Sequence, residues 1–588
     1  MKQSKSILLT TIVKFFFAMN MVISRKVQTT KNLKKAFITS GSLMIWLFVS
    51  IPSFGQDPKK QWTDGEIENV EIEIVKEREI TLPAADRNFE KIPPRPSEPI
   101  KPPIAYDFKS FSFQAPHLNP QIRPLKLKQE NPSTIYGGFL RVGYGSYASP
   151  LLEAYYNTRK DKNKLIGAHL YHASSDKGPV DGKNSGSGSS GISVFGRSFT
   201  KGISLSGNVG YENRTTHFYG YPAGSDVEAS DIKQSFSLFK LAGALSNAKN
   251  ADLSYKLGIG GSFLTDKYDA KENEIDLEFS SSYEINDDSR INIKADYFYI
   301  KRSDQNVDNK GRSLFVVSPS VAFLPIEDLK VSVGLIAAFE NDTIDSKDVH
   351  VYPDIRASYP ISPSVDAVAS LSGGMEKVSL QSLSYENLWL APNIPIFHTN
   401  KTFDFNVGLN AKLGSRVSAH SGLAIANLKN WYYFVNTTAD QAKFTTVYDG
   451  GSGTKRGNLY AAISFVQSDA AKFLLRADLY RYSTSRIEEA WHRPTYKVTA
   501  NAFYNLYEKF LFNLDIIAQG GMKAQEPITN RSVKLDAAFD LNFKTEYLFS
   551  QSFSAFIQLN NIASSKYPVF LNYPVRGFQI MGGITWSF

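Results

Sequence analysis

The chain has 588 residues, 66 Lys and Arg against 57 Asp and Glu, 13% aromatic residues and no cysteine. Its mean hydropathy is −0.25. That excludes a bundle of membrane-spanning helices, which needs repeated apolar runs of about 20 residues, and it excludes disulfides, thiolate metal sites and a lipidated cysteine.

Most of the positive charge sits at the start. Residues 1–55 carry Lys2, Lys5, Lys14, Arg25, Lys26, Lys31, Lys34 and Lys35 and no acid. Without them the chain is close to neutral, so no nucleic-acid partner is expected. Lys31, Lys34 and Lys35 precede an apolar stretch from Phe37 to Ile51, and Ser53-Phe54-Gly55 offers small residues for cleavage. This pattern predicts a secretory signal over 1–55, with the mature protein starting at Gln56.

Residues 56–132 read as an extended lead. Val70-Glu71-Ile72-Glu73-Ile74-Val75 alternates, and ten prolines follow between Pro93 and Pro132. That density blocks helices and sheet ladders and favours polyproline conformation. Such a segment makes a spacer, or a strap laid on another surface. A wide barrel needs something to occlude it, and the lead is expected to do so.

From 133 to 588 the signal is alternation. Val533, Leu535, Ala537, Phe539, Leu541 and Phe543 face away from Lys534, Asp536, Asp540, Asn542 and Lys544. Phe473, Leu475, Ala477 and Leu479 oppose Arg476 and Asp478, and Phe512, Leu514 and Ile516 oppose Asn513 and Asp515. The pattern runs too long for one sandwich. Charges in mid-strand fit a water-filled lumen. Short turns such as 286–288, 326–328 and 507–509 alternate with long loops such as 178–191, 222–231 and 392–402, as in outer-membrane barrels. Trp431-Tyr432-Tyr433-Phe434 reads as part of an interfacial aromatic girdle. The prediction is an all-β transmembrane antiparallel barrel of about 22 strands, within a range of 16–22. Arg476, Asp478, Asp515, Asp536 and Asp540 are the candidate lumen-facing residues.

The last strand places Phe578, Ile580, Gly582, Ile584, Trp586 and Phe588 on one face. Trp586 and the terminal Phe588 resemble the assembly signal of bacterial outer-membrane proteins. Outer-membrane lipids, the assembly machinery and a periplasmic or envelope protein are the expected partners.

Asn560-Asn561-Ile562-Ala563-Ser564-Ser565-Lys566-Tyr567, then Tyr573-Pro574-Val575-Arg576-Gly577, then the strand closing on Phe588, resembles the C-terminus of TonB-dependent receptors. Val447-Tyr448-Asp449-Gly450-Gly451 and Lys455-Arg456-Gly457-Asn458-Leu459 resemble a second segment of that family, without its Glu. Val70, Ile72, Ile74 and Val75 resemble a TonB box. The family carries a globular plug of well over a hundred residues before the barrel, and residues 56–132 are too few. The resemblance is therefore to plugless, receptor-like barrels of Bacteroidetes type. It implies a pore or uptake component for a hydrophilic solute; the alternative is a scaffold subunit of an envelope complex.

Catalytic and metal motifs fail. His169 and His172 face opposite sides of a strand. Asn184 to Gly191 reads as a flexible loop without the Lys of a phosphate cradle. Trp491-His492-Arg493 belongs to an external loop. No enzyme activity and no cofactor are expected.

Overall fold

The computed structural model describes residues 136–588, apart from 159–160, 162, 223, 248–251, 306 and 343–347. The signal, the lead and the TonB-box-like residues Val70, Ile72, Ile74 and Val75 lie outside the described residues.

The described chain is a closed 22-stranded antiparallel barrel. Each strand pairs with its neighbour in sequence, from Gly138–Gly145 round to Gln579–Ser587. The first and last strands pair from Phe139↔Ser587 to Gly145↔Met581 and close the sheet. Closure leaves no unpaired edge, which a sheet in hydrocarbon requires. The Phe588 carbonyl accepts the amides of Gly137 and Gly138 at 3.0 and 2.8 Å, so the chain's last residue seals the seam.

The two ends of the barrel differ. At the end holding Gly138 and Phe588 the connections are short, among them 200–202, 287–288, 327–328, 363–364, 468–470 and 507–509. At the other end lie 176–186, 218–232, 377–398, 430–453, 484–495, 521–537 and 561–578. The alternation of short turns and long loops read from the sequence is therefore a sorting of loops to one rim.

Alternation along each strand fixes the faces. Leu257 and Ile259, Val333 and Leu335, Leu475 and Leu479, and Ile580, Ile584 and Trp586 are exposed apolar residues on the outer face. Phe556 is an exception: it lies on the inner face, almost fully buried. It fits because Gly583 faces it, where a Cβ would come within 2.6 Å of the Phe556 ring.

Two local expectations change. Ser187–Phe199 is a barrel strand, so the Gly/Ser run from 184 is loop only at its start. Small residues there tolerate a ladder because the paired strands on both sides supply the register. Trp431, Tyr433 and Phe434 are buried and belong to no girdle. Tyr432–Asn436 pairs with Phe444–Tyr448 in a small sheet within one loop. A run that is aromatic on both faces suits a strand covered on both sides, which a girdle strand is not.

Candidate functional site

The inner wall and the loop rim meet in one assembly. The loop 377–398, here called the strap, contains the helix Leu380–Glu386. Ser379 caps it, its hydroxyl accepting the Ser382 amide while the Ser382 hydroxyl accepts the Ser379 amide. That reciprocal pairing satisfies backbone donors a helix start leaves open.

Side chains from the barrel wall hold the strap. The Glu272 carboxylate accepts the Leu380 and Gln381 amides, each at 2.8 Å. Arg214 donates to the Ser384 carbonyl at 2.8 Å and to its hydroxyl at 2.9 Å. The acid is at the helix start and the cation near its end, each matching the helix dipole. Arg302 donates to the Ile394 carbonyl at 2.8 Å and Arg312 to the Val378 carbonyl at 2.9 Å. Lys377 pairs with Glu274. These wall residues come from four different strands, all facing inward, so the strap lies inside the barrel mouth.

Arg312 also clamps Asp342 through two bonds of 2.6 and 2.9 Å. Burial pushes the Asp342 carboxyl up, but the Arg312 guanidinium outweighs it and holds the group below the usual range. His398 Nδ1 accepts from the Val378 amide and from Arg312, at 3.1 and 3.0 Å. Burial and the neighbouring Arg312 push the His398 imidazole down to about 3, so it is neutral there.

Other loops pack on the strap. Tyr219, Leu383, Leu390, Ile394, Phe434, Phe444, Phe570 and Tyr573 form one apolar cluster with Phe236, Leu238 and Leu264 of the wall. His492 bridges two loops: Nδ1 donates to the Phe434 carbonyl at 3.0 Å, and Nε2 accepts the Leu571 amide at 3.2 Å. Glu386 accepts from Tyr432 at 2.6 Å and Arg493 at 2.8 Å, tying the strap to two further loops. The result is a cap with its own core, built from loops.

The sequence-named residues are placed as follows. Arg476 donates twice to Asp478, at 2.7 and 2.8 Å, on the inner face. Asp515 accepts from Asn501 on the adjacent strand. Asp540 accepts the Tyr567 hydroxyl at 2.8 Å, so it faces a loop that bends inward. The three sites are separate groups on the wall rather than one constellation. Asp536 is not on a barrel strand. The strand begins at Ala538, and Ser532–Lys534 pairs with Lys523–Gln525 in a hairpin beyond the rim. Leu535 turns inward there, its amide on the Met522 carbonyl and its side chain buried with Met522 and Ala524. Hairpin and barrel strand share a period of two, so the sequence ran them together. Trp586 and Phe588 are exposed on the outer face with ring centroids 4.6 Å apart. His169 stacks on Tyr155 on the inner face, whereas His172 bonds Ser190 and Ser174 on the outer one.

Arg214, Glu272, Arg302 and Arg312 went unnamed in the sequence, and of the strap only its end was read, as the start of the loop 392–402. The signal present was the pair Ser379 and Ser382, a capping pattern in a long loop, and charges near the loop ends of inner faces.

No protein-family model and no curated protein matches the chain. Solved structures do. The siderophore receptor PirA from Acinetobacter baumannii superposes with a TM-score of 0.60 at 8% identity, over 78% of this chain and 81% of that one. The FrpB iron transporter from Neisseria meningitidis gives 0.60 at 10% identity, over 78% and 82%. The ferric-catecholate import receptor Fiu from E. coli K12 gives 0.58 at 8% identity, over 78% and 82%. Identity this low speaks to fold. These neighbours are TonB-dependent receptors and transporters, not enzymes. With its closed 22-strand wall and apolar exterior, the chain is an outer-membrane β-barrel that shares the fold of TonB-dependent receptors.

Proposed function

We propose that the protein is an uptake component for a hydrophilic solute, with the loop cap as its outer gate and the lead 56–132 in place of a full plug. One observation carries the reading: below the cap the inner face is mostly polar or small, as at Ser254, Lys256, Ser280, Asn292 and Lys294, while the outer face is apolar. A wall of hydroxyls, amides and paired charges such as Arg476 and Asp478 suits a hydrated solute. Energised import through the TonB-box-like stretch at Val70 to Val75 is not part of the proposal.

A second reading, a non-transporting scaffold in an envelope complex, is favoured by the number of buried ion pairs and bonds holding the strap. Single-channel recordings separate the two. The purified full chain and a variant lacking 56–129 are compared, each before and after a voltage step. Solute-dependent or step-induced current in either form supports uptake. Silence in both, with heat-modifiable protein on gels, supports the scaffold.

A further inference from the structure

On the outer face, five neighbouring strands carry a basic patch at the loop rim: Ile203–His217, Lys233–Asn247, Leu253–Asp266, Lys271–Asn286 and Ser289–Asp304. Their apolar exterior begins at the short turns, with Ile203, Leu253, Ile285 and Ile291 exposed. It ends in an aromatic row, in which Tyr211 pairs with Phe239 and Phe239 with Phe263, all three exposed. Aromatic residues mark the edge of the hydrocarbon in outer-membrane barrels. Beyond that row the outward residues turn polar. Asn213 pairs with Ser237, Ser237 with Thr265, and Thr265 with Lys271. Lys233 lies opposite His217, the Lys267 amide bonds the Ser235 carbonyl at 3.1 Å, and Lys301 lies opposite Asn273. From Asn247, Leu253, Asn286 and Ser289 at the short turns, Lys233, Lys267, Lys271 and Lys301 stand 12 to 15 residues along the chain. A membrane strand takes about 9–11 residues, so the four ammonium groups share one level, that of the lipid headgroups.

The charge at this level has one sign. Beyond the aromatic row the outward positions of these strands hold no Asp or Glu; Glu212, Asp266, Glu272 and Asp304 of the same strands face the lumen. Lys301 is paired with Asp308 at 2.9 Å, and Lys267 donates to the Ser230 carbonyl at 2.6 Å. Lys233 and Lys271 are exposed, and their ammonium groups have no partner among the described residues. Asp231, in the adjoining loop, accepts the Ser230 hydroxyl at 3.2 Å and forms no ion pair with them. Neighbouring ammonium groups repel one another, and mobile counterions relieve that only in part. A phosphate fixed at the membrane surface relieves it and brings acyl chains to the apolar residues beneath. Lysine meets such a group as a point charge on a long stem that reaches the headgroup level.

From this arrangement we infer that the patch is a docking site for a phosphorylated lipid of the outward leaflet. Its phosphate meets Lys233, Lys267 and Lys271, and its acyl chains lie on Phe239, Phe263 and Ile275. The site goes beyond the uptake reading and does not depend on it. The test takes the full chain, freed of lipid in detergent, and titrates it with bis-phosphorylated lipid A, read by native mass spectrometry. Lipid A is expected to stay bound, and phosphatidylethanolamine in excess is expected not to displace it. Lys233→Gln and Lys271→Gln each weaken binding about fivefold, and together about thirtyfold. The corresponding Arg variants retain it, and added salt weakens it. Lys201→Gln, in a short turn at the opposite rim, leaves it unchanged. Heat-modifiability on gels confirms that each variant is folded. Equal binding by the wild type and the double Gln variant overturns the site. So does equal binding of lipid A stripped of its phosphates, which would assign the affinity to the tails. Inorganic phosphate bound as tightly as the lipid would make the patch a site for free anions and overturn the lipid assignment.

Discussion

Glu272 and Arg214 grip opposite ends of the same short helix, the first by two backbone amides and the second by a carbonyl and a hydroxyl. They lie 108 and 170 residues away in sequence from the groups they bind. Both are buried. Hydrogen bonds to a charged group are worth roughly 1.5–3 kcal/mol each, and an amide left buried without a partner costs about as much. Glu272→Ala should destabilise the strap by about 3 kcal/mol, and Glu272→Gln, which keeps an acceptor, by about half that. Hydrogen exchange at Leu380 and Gln381 reads this directly. Exchange unchanged in Glu272→Ala would mean the strap is held by its apolar contacts alone.

Acid should loosen the cap. Burial drives the His492 imidazole down to about 4, and Arg493 beside it adds to the shift. The neutral ring is needed, because Nε2 accepts the Leu571 amide. An unfolded histidine titrates near 6.5. The folded form thus binds its proton less readily than the unfolded one. Its contribution is fully present above about pH 6.5 and is lost as pH falls toward 4, roughly 3 kcal/mol in all. His398 acts in the same direction. Limited proteolysis of the loops at pH 7 and pH 4.5 should show faster cleavage in acid, and His492→Gln should flatten the difference. Equal cleavage at both pH values would contradict the assigned ring state.

The faces of the wall can be tested with neighbouring residues. Ile557 is half exposed on the outer face, and Gln558 faces inward and donates to Asn560. Both sit mid-strand in Phe553–Asn560. A charge on the lipid face near the midplane costs about 2–4 kcal/mol. Ile557→Arg should deplete folded barrel from outer-membrane fractions, while Gln558→Arg should leave its amount near wild type. Comparable loss for both variants would show that position 557 does not meet lipid.

The barrel was legible in the sequence because its physics is local. Alternation at Phe473 to Leu479 and at Phe578 to Phe588 follows from one lipid face and one lumen face, and every strand repeats it. The strand count followed from dividing the alternating stretches into about 22 segments, which leaves each long enough for a membrane strand. The cap was not legible, because its bonds join residues far apart and its apolar side chains carry no period. Trp389 sits in an irregular segment, and Phe444 and Phe570 lie in strands of only five and three residues. Arg302 and Glu272 look like any other lumen charge until a partner is seen. Asp536 went astray for a related reason: a rim hairpin and a barrel strand share one parity, and only a tertiary contact, that of Leu535 with Met522, marks where the first ends.

The strap offers the sharpest test of what closes the barrel. Its flanking strands, Val365–Glu376 and Thr399–Lys412, are paired up to Glu376↔Thr399. Residues 379–396 can therefore be replaced by a short Gly/Ser turn without breaking the ladder, and the barrel should fold. Excision removes Leu383, Leu390, Ile394 and Ile396 from the cap cluster and frees Arg214, Glu272 and Arg302 to face water. If the cap is the barrier, the excised protein should carry steady current in planar bilayers and sensitise cells to large antibiotics, while remaining heat-modifiable. The lead is the competing barrier, expected from the sequence on grounds of missing plug mass. Deleting 56–129 alone then raises conductance and strap excision alone does not. Current that appears only when both are removed means two barriers in series. A double variant that folds yet stays silent would exclude an open lumen altogether and leave the scaffold as the function of this barrel.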